Sequence, residues 1–255
     1  MYSPNDYIAV FDSGVGGVSV LRQLRKLLPE ERYIYFGDSA NAPYGSRPTS
    51  QVRELTLAAA EKLTAEYPLK TLVVACNTAT AAAITQLREK YPDLIVIGIE
   101  PALKLAADSY PGGNIGVMAT QVTLREEKFD ALLHRFDENC TVYKIPAPGL
   151  VELVEAGKTE GPEMDAFLKK LLAPYAGKLN ALVLGCTHYP FAASAIAKVL
   201  GDHTMLLDGG EGTARETKRR LALANLLRTG SGSIQFISSA NEERMTALAQ
   251  RLLGE

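Results

Sequence analysis

The chain has 255 residues, of which 47% are hydrophobic, and its formal net charge is -2. Its length predicts two compact domains, and its charge argues against nucleic acid as the main partner. No apolar run approaches the ~20 residues that cross a bilayer, and the N-terminal residues lack the pattern of a signal peptide. The three cysteines have no metal-type spacing, which is typical of free thiols in a reducing compartment. We therefore expect a cytoplasmic protein without a metal site or a membrane contact.

The first part of the chain alternates predicted strands and helices. Asp12 follows the first strand, in a loop with three glycines whose spacing fits neither GxGxxG nor GxxxxGK[ST]. The glycines are therefore expected to permit a tight turn, and Asp12 either to cap the next helix or to face a pocket. Apolar patterning predicts strands over residues 7–11, 33–36, 72–76 and 94–98, and helices over 18–28 and 49–65.

Residues 41–48 form a turn-rich segment that is predicted to have no regular structure. The segment is long enough to reach over a cleft, where Tyr44 and the amides beside it would hold a polar ligand. A surface loop without a function is the alternative, and the sequence pattern leaves both open.

The second part of the chain repeats this alternation. Strands are expected over 114–118, 141–145, 182–185, 205–207 and 234–237, and helices over 121–136, 150–156, 164–175, 213–228 and 242–253. The last elements are expected to return to the first domain. We therefore predict a first domain of residues 1–99 plus 207–255 and a second of residues 100–206.

Two segments of the chain resemble each other and indicate an internal duplication. LVVACNTATAAAI begins at Leu72 and LVLGCTHYPFAASAI at Leu182, so that Cys186 stands at the position of Cys76. In each segment, a buried strand reaches a cysteine and an alanine-rich helical segment follows. The predicted fold class is α/β, with two pseudo-symmetric domains and mostly parallel sheets.

The duplicated cysteines are candidates for chemistry because ligands of open α/β sheets bind beyond the carboxyl ends of the strands. A helix beginning at each cysteine would favour the thiolate. Cys140 has no motif around it and is assigned to the core. Polar donors follow both candidate cysteines and suit a small anion such as a carboxylate: Asn77, Thr78, Thr187 and His188.

If the two copies face each other, the two thiols point at one ligand from opposite sides. One thiolate would then remove a proton from carbon while the other thiol protonates the opposite face, which inverts a stereocentre without a cofactor. His188 is expected to tune Cys186. A Cys186–His188 nucleophile pair for acyl transfer is an alternative, but it leaves Cys76 without a role. A binding protein with redox-sensitive thiols is a second alternative, which does not require the polar donors.

Five ordered motifs carry a resemblance over essentially the whole chain: FDSGVGG, GDSANAPYG, VVACNTATA, LVLGCTHYP and DGGEGTAR. On these motifs, the chain resembles the bacterial glutamate racemases of the cofactor-independent aspartate/glutamate racemase superfamily. The resemblance implies two α/β domains with the active site in the cleft between them. It also implies an isomerase that interconverts L- and D-glutamate for peptidoglycan synthesis, with no cofactor and with glutamate as its small-molecule partner. A related aspartate racemase stays open, as does a homodimer.

The resemblance also implies roles for individual residues. Cys76 and Cys186 correspond to the two acid/base thiols, Asp12 to the helper of the first, and His188 and Glu155 to helpers of the second. Cys76 would act on D-glutamate and Cys186 on L-glutamate. The substrate-holding residues would be Asp12, Ser13, Tyr44, Gly45, Asn77, Thr78, Thr187 and His188. Two positions depart from the family pattern: Asn41 stands where many members have arginine, and Ala147 where many have cysteine.

Overall fold

A computed structural model describes residues 2–125 and 140–254 of the chain. The described residues form two compact units, Met1–Glu100 with Gly210–Glu255, and Pro101–Gly209. The sequence predicts that the chain returns from the second domain to the first at residue 207. The boundary lies at Gly210 because the segment that ends at Asp208 still pairs within the sheet of the second unit.

The first unit contains five strands, β1 (Tyr7–Asp12), β2 (Arg32–Gly37), β3 (Leu69–Val74), β4 (Ile95–Gly98) and β9 (Ser233–Ser238), which form a parallel sheet in the order β4-β3-β1-β2-β9. Its helices are α1 (Val18–Leu27), α2 (Thr49–Glu66), α3 (Asn77–Lys90), α9 (Gly210–Leu223) and α10 (Glu242–Leu253). The helices cover both faces of the sheet, as parallel sheets require: α1 packs against α9 and α10, and α2 packs against α3.

The second unit contains the strands β5 (Asn114–Ala119), β6 (Thr141–Pro146), β7 (Ala181–Leu184) and β8 (Met205–Asp208), which form a parallel sheet in the order β6-β5-β7-β8. Its helices are α4 (Leu103–Ser109), α5 (Gln121–Arg125), α6 (Leu150–Glu155), α7 (Pro162–Leu172) and α8 (Ala193–Leu200). One face of the sheet packs on α6, α7 and α8, and the other face packs on α4.

The two sheets repeat one strand order, which confirms the predicted pseudo-symmetric α/β architecture. The order β4-β3-β1-β2 in the first sheet corresponds strand for strand to β8-β7-β5-β6 in the second, and the chain visits both sets in the same sequence. The edge strand β9 is the addition to the first copy. Both candidate cysteines therefore follow equivalent strands, β3 and β7, directly beyond their carboxyl ends.

Several predicted elements differ from those observed. The predicted helix over 121–136 is described only over Gln121–Arg125, and residues 126–136 lie outside the described part. The helix predicted over 213–228 instead runs over Gly210–Leu223. Asn225 adopts a left-handed backbone (φ 56°), and the amide of Leu226 donates to the carbonyl of Leu221 at 2.9 Å. This pattern is a Schellman motif, which ends the helix.

The segment 41–48 is more regular than predicted. It contains two single-turn 3₁₀ helices, Ser39–Asn41 and Tyr44–Ser46.

In residues 2–125 and 140–254, no helix combines the length and apolar character that a bilayer crossing needs.

Candidate active site

The first cysteine cluster consists of Cys76, Asp12, Ser13, Asn77 and Thr78, all at the carboxyl end of the first sheet. Cys76 is the N-cap of α3, and its Sγ accepts a hydrogen bond from the amide of Ala79 at 3.4 Å. The same Sγ lies 3.7 Å from the Ser13 hydroxyl oxygen. A sulfur in this position faces the positive end of the α3 dipole, so the prediction of a helix start at Cys76 is confirmed.

Asp12 ends β1, beside the end of β3, and is fully buried. Its Oδ1 accepts a hydrogen bond from the amide of Gly14 at 3.0 Å, so this carboxylate orders the loop in front of α1. A Cβ atom on Gly17 would lie 2.6 Å from Asp12 Cβ and 3.1 Å from Ala75 Cβ. Gly17 therefore allows α1 to begin in close contact with Asp12, a steric role that the predicted tight turn does not include.

Asn77 and Thr78 form the first turn of α3 and are buried. The Asn77 side-chain nitrogen Nδ2 is also buried, and it has no hydrogen-bond partner within the described part of the chain. A buried amide donor without a partner is costly in a protein interior. Asn77 therefore presents hydrogen-bond capacity beside Cys76 that a polar ligand can use.

Tyr44 is buried in the core of the first unit, where its ring lies 6.3 Å from that of Phe11. Its hydroxyl donates a hydrogen bond to Asp38 Oδ2 at 2.7 Å. Burial raises the pKa of Tyr44, and the hydrogen bond to Asp38 raises it further, with smaller contributions from the charges of Cys76 and Asp12. The segment is thus no plain surface loop: Tyr44 is fixed near the first cysteine cluster, and Gly45, half-buried, follows it.

The second cysteine cluster consists of Cys186, Thr187, His188 and Glu155. Cys186 Sγ lies 3.7 Å from His188 Nδ1, and His188 Nε2 lies 2.7 Å from Glu155 Oε1. His188 is 2% exposed, whereas the Glu155 side chain is 27% exposed. The imidazole therefore joins a buried thiol to a carboxylate that ends α6.

The electrostatics of this cluster favour a protonated imidazole. Burial opposes the charged form of His188, but the hydrogen bonds with Cys186 and Glu155 outweigh it and raise the pKa of His188 well above its usual value. The charged form of His188 places a positive charge beside the Cys186 sulfur. Such a charge stabilises negative charge on sulfur and orients the residue for proton transfer.

The surroundings of Cys186 differ from the prediction in one respect. The sequence predicts a helix directly after each cysteine, and this is wrong for Cys186. A turn containing Thr187 and His188 follows it, then a 3₁₀ helix at Tyr189–Ala192, and α8 begins only at Ala193. Pro190 lies in the first turn of the 3₁₀ helix, and it lacks the amide that a helix beginning at Cys186 would require. The imidazole of His188, rather than a helix dipole, supplies positive charge at this sulfur.

Sequence reasoning missed one residue of the first unit. Asp38 is buried, follows β2 at the same sheet end as Asp12, and binds the Tyr44 hydroxyl. Its position directly after a buried strand is a signal that the sequence offers, because the same position made Asp12 a candidate for a pocket. Cys140 is buried, as the sequence predicts.

Comparison with known proteins places the chain in a family. The Asp/Glu/Hydantoin racemase family model matches residues 15–217. A glutamate racemase from Clostridium botulinum is 46% identical over 256 residues, which span 99% of each chain. A solved glutamate racemase isoform from Bacillus anthracis has a TM-score of 0.86 and 33% identity, covering 99% of this chain and 95% of that one. The Escherichia coli glutamate racemase, solved with L-glutamate and the activator UDP-MurNAc-ala, has a TM-score of 0.85 and 34% identity, covering 98% and 96%. The chain belongs to the Asp/Glu/Hydantoin racemase family and, within it, to the glutamate racemases.

Proposed function

We propose that this chain interconverts L- and D-glutamate with Cys76 and Cys186 as its two acid/base groups. The observation that carries the proposal is the equivalence of the two cysteines. They follow corresponding strands of two sheets with the same strand order, and each has polar neighbours that suit proton transfer. The D-glutamate produced is a component of peptidoglycan, so the activity supplies cell-wall synthesis.

The reaction requires one proton to leave Cα and another to arrive on the opposite face. In one direction, the Cys76 thiolate takes the Cα proton and becomes a thiol, and the electron pair stays on the substrate as a carbanion. The Cys186 thiol then gives its proton to the other face and becomes a thiolate. The reverse direction exchanges the two roles, and no electron leaves or enters the substrate, so the steps balance without an oxidant or a cofactor.

The neighbours of the two thiols suit these roles. The buried carboxylate of Asp12 lies at the strand end beside Cys76 and serves as its helper. The His188–Glu155 pair is the helper of Cys186: the imidazolium stabilises the thiolate, and Glu155 keeps the ring oriented. A helper of this kind contributes roughly 10²-fold or more to the rate.

Substrate binding is assigned to the polar groups that surround the two thiols. Asn77 carries the strongest argument, because its buried Nδ2 has no partner elsewhere in the described chain. Hydroxyls and amides at these positions suit the carboxylates and the ammonium of glutamate. We assign the binding role to Asp12, Ser13, Tyr44, Gly45, Asn77, Thr78, Thr187 and His188.

Replacement of each cysteine by alanine tests the proposal. Purified protein is incubated with either glutamate enantiomer, without added cofactor, and the decay of the circular dichroism signal of that enantiomer is followed over time. Cys76→Ala and Cys186→Ala are each expected to abolish racemisation and to leave the protein folded. Cys140→Ala is the matched control, because Cys140 is as buried as Cys186, at 8% exposure, and is expected to keep full activity.

Substantial activity in either of the first two variants would exclude the two-thiol mechanism. The same assay with L- and D-aspartate tests the aspartate racemase alternative, for which faster turnover of aspartate than of glutamate is the required result. We also propose a cytoplasmic location, where reducing conditions keep these thiols free.

A further inference from the structure

Ser239 is a C-terminal residue that contacts the strand ends of the first sheet. Strand β9 runs parallel to β2, and the amide of Ser239 continues this ladder by donating to the carbonyl of Gly37 at 3.1 Å. The Ser239 hydroxyl donates to Asp38 Oδ1 at 2.6 Å and accepts a hydrogen bond from the amide of Ala40 at 3.0 Å. The hydroxyl is used both as donor and as acceptor, so its orientation is fixed.

Asp38 transmits this contact to Tyr44. Its Oδ1 accepts the Ser239 hydroxyl, and its Oδ2 accepts the Tyr44 hydroxyl at 2.7 Å. The Asn41 side chain donates to both oxygens at 3.1 Å, and the Asp38 amide donates to the Asp12 carbonyl at 2.9 Å. The carboxylate is therefore held on both of its oxygens, and Ser239 binds the oxygen that Tyr44 does not.

The arrangement links a residue with an exposed position to the substrate-binding turn. Ser239 lies 201 residues after Asp38 in the sequence, and nothing in the chemistry of the two thiols requires it. Hydrogen bonds to a charged group are among the stronger ones in proteins. Loss of the Ser239 hydroxyl would leave the Asn41 side chain as the remaining hydrogen-bond donor to Asp38 Oδ1 among these contacts, and we expect this weaker restraint to loosen the bond between Asp38 Oδ2 and the Tyr44 hydroxyl.

We propose that Ser239 is a positioning residue for the racemase reaction, and that it acts through the Asp38 carboxylate to hold the Tyr44–Gly45 turn in its substrate-binding geometry. The inference rests on the proposed function, in which Tyr44 and Gly45 bind glutamate. The hydrogen bonds of Ser239 within the described residues are with Gly37, Asp38 and Ala40, and none of them involves a thiol. Its removal is therefore expected to weaken substrate binding more than it slows proton transfer.

Steady-state kinetics of Ser239→Ala in both directions test the inference. The KM for each glutamate enantiomer is expected to rise about tenfold, which corresponds to one hydrogen bond to a charged group, while kcat stays within about twofold. Ser239→Thr keeps the hydroxyl and is expected to restore a wild-type KM, whereas Ser239→Val, of the same shape as threonine, is expected to behave like Ser239→Ala. Ser238→Ala is the neighbouring control and is expected to change neither constant.

A double-mutant cycle identifies the route. Tyr44→Phe removes the other hydroxyl bound to Asp38, so its effect on KM and that of Ser239→Ala are expected to be less than additive. Additive effects, an unchanged KM in folded Ser239→Ala and Ser239→Val, or an equal loss in Ser239→Thr would each overturn the positioning role alone. A wild-type protein that does not racemise glutamate would instead overturn the proposed function, and this inference with it.

Discussion

A buried ion pair on the first unit gives a quantitative test of the structure. Lys70 and Glu31 are both fully buried, and Lys70 Nζ lies 2.6 Å from Glu31 Oε2. The same ammonium donates to the carbonyl of Pro4 at 2.6 Å and to that of Leu226 at 2.9 Å. Replacement of Lys70 by methionine fills a similar volume but removes all of these bonds.

The magnitude follows from what remains after the substitution. Glu31 keeps the hydrogen bond from the amide of Arg228, at 3.0 Å, but loses the ammonium group with which it is paired. An unpaired buried charge of this kind lowers the free energy of unfolding by about 3–5 kcal/mol. For a unit of this size, that loss corresponds to a fall in the melting temperature of roughly 6–20 °C.

Thermal unfolding followed by circular dichroism measures the loss. Lys90→Met is the matched control: Lys90 pairs with Glu61 at 2.8 Å, but both side chains are exposed, so no measurable change is expected. The double variant Lys70→Met with Glu31→Leu is expected to be more stable than Lys70→Met, because the unpaired charge is gone. A melting temperature of Lys70→Met equal to that of Lys90→Met would refute this reasoning.

Three further predictions concern the active site. L- and D-glutamate have equal free energy, so any variant loses the same factor of kcat/KM in both directions. The kinetic isotope effects in the two directions can nevertheless differ. Asp12→Asn is expected to increase the isotope effect with Cα-deuterated D-glutamate, and His188→Asn is expected to increase the isotope effect with Cα-deuterated L-glutamate. Identical shifts in both variants would exclude the assignment of Cys76 to D-glutamate and Cys186 to L-glutamate. The raised pKa of His188 contributes its full stabilisation of the folded state below about pH 6.5, and this contribution is lost as the pH rises through the pKa of His188 in the folded state. The difference in melting temperature between wild type and His188→Asn is therefore expected to narrow with rising pH. Dialysis against a chelator is expected to leave activity unchanged, and activity restored by an added metal would contradict this.

The sequence predicts the fold because local patterns determine it. Each buried strand is a short apolar run, and small polar residues mark the strand ends, so both cysteines could be placed from the chain alone. The duplication also accounts for the strand order that the two sheets share, since one copy repeats the other, but the order itself comes from the structure.

The parts that the sequence did not predict depend on contacts between distant residues. Ser239 reaches Asp38 across most of the chain, and no local pattern reports such a pairing. The contact between Glu155 and His188 rests on the packing of the second unit, and the sequence suggested it only through resemblance. Pro190, by contrast, is a local signal against a helix beginning at Cys186, because proline lacks the backbone amide that such a helix requires at this position.

The late position of β9 in the chain sets the order in which a ribosome can complete this protein. Residues 101–209 are contiguous, so all described strands of the second unit are available once this segment has been synthesised. The first unit must wait, because β9 and the Leu226 carbonyl that binds Lys70 are translated after the second unit. Until then, the nascent chain carries an uncovered β2 edge, which is open to pairing with other chains. A stop codon before residue 233 would make that exposure permanent, although every residue assigned to proton transfer would already be present.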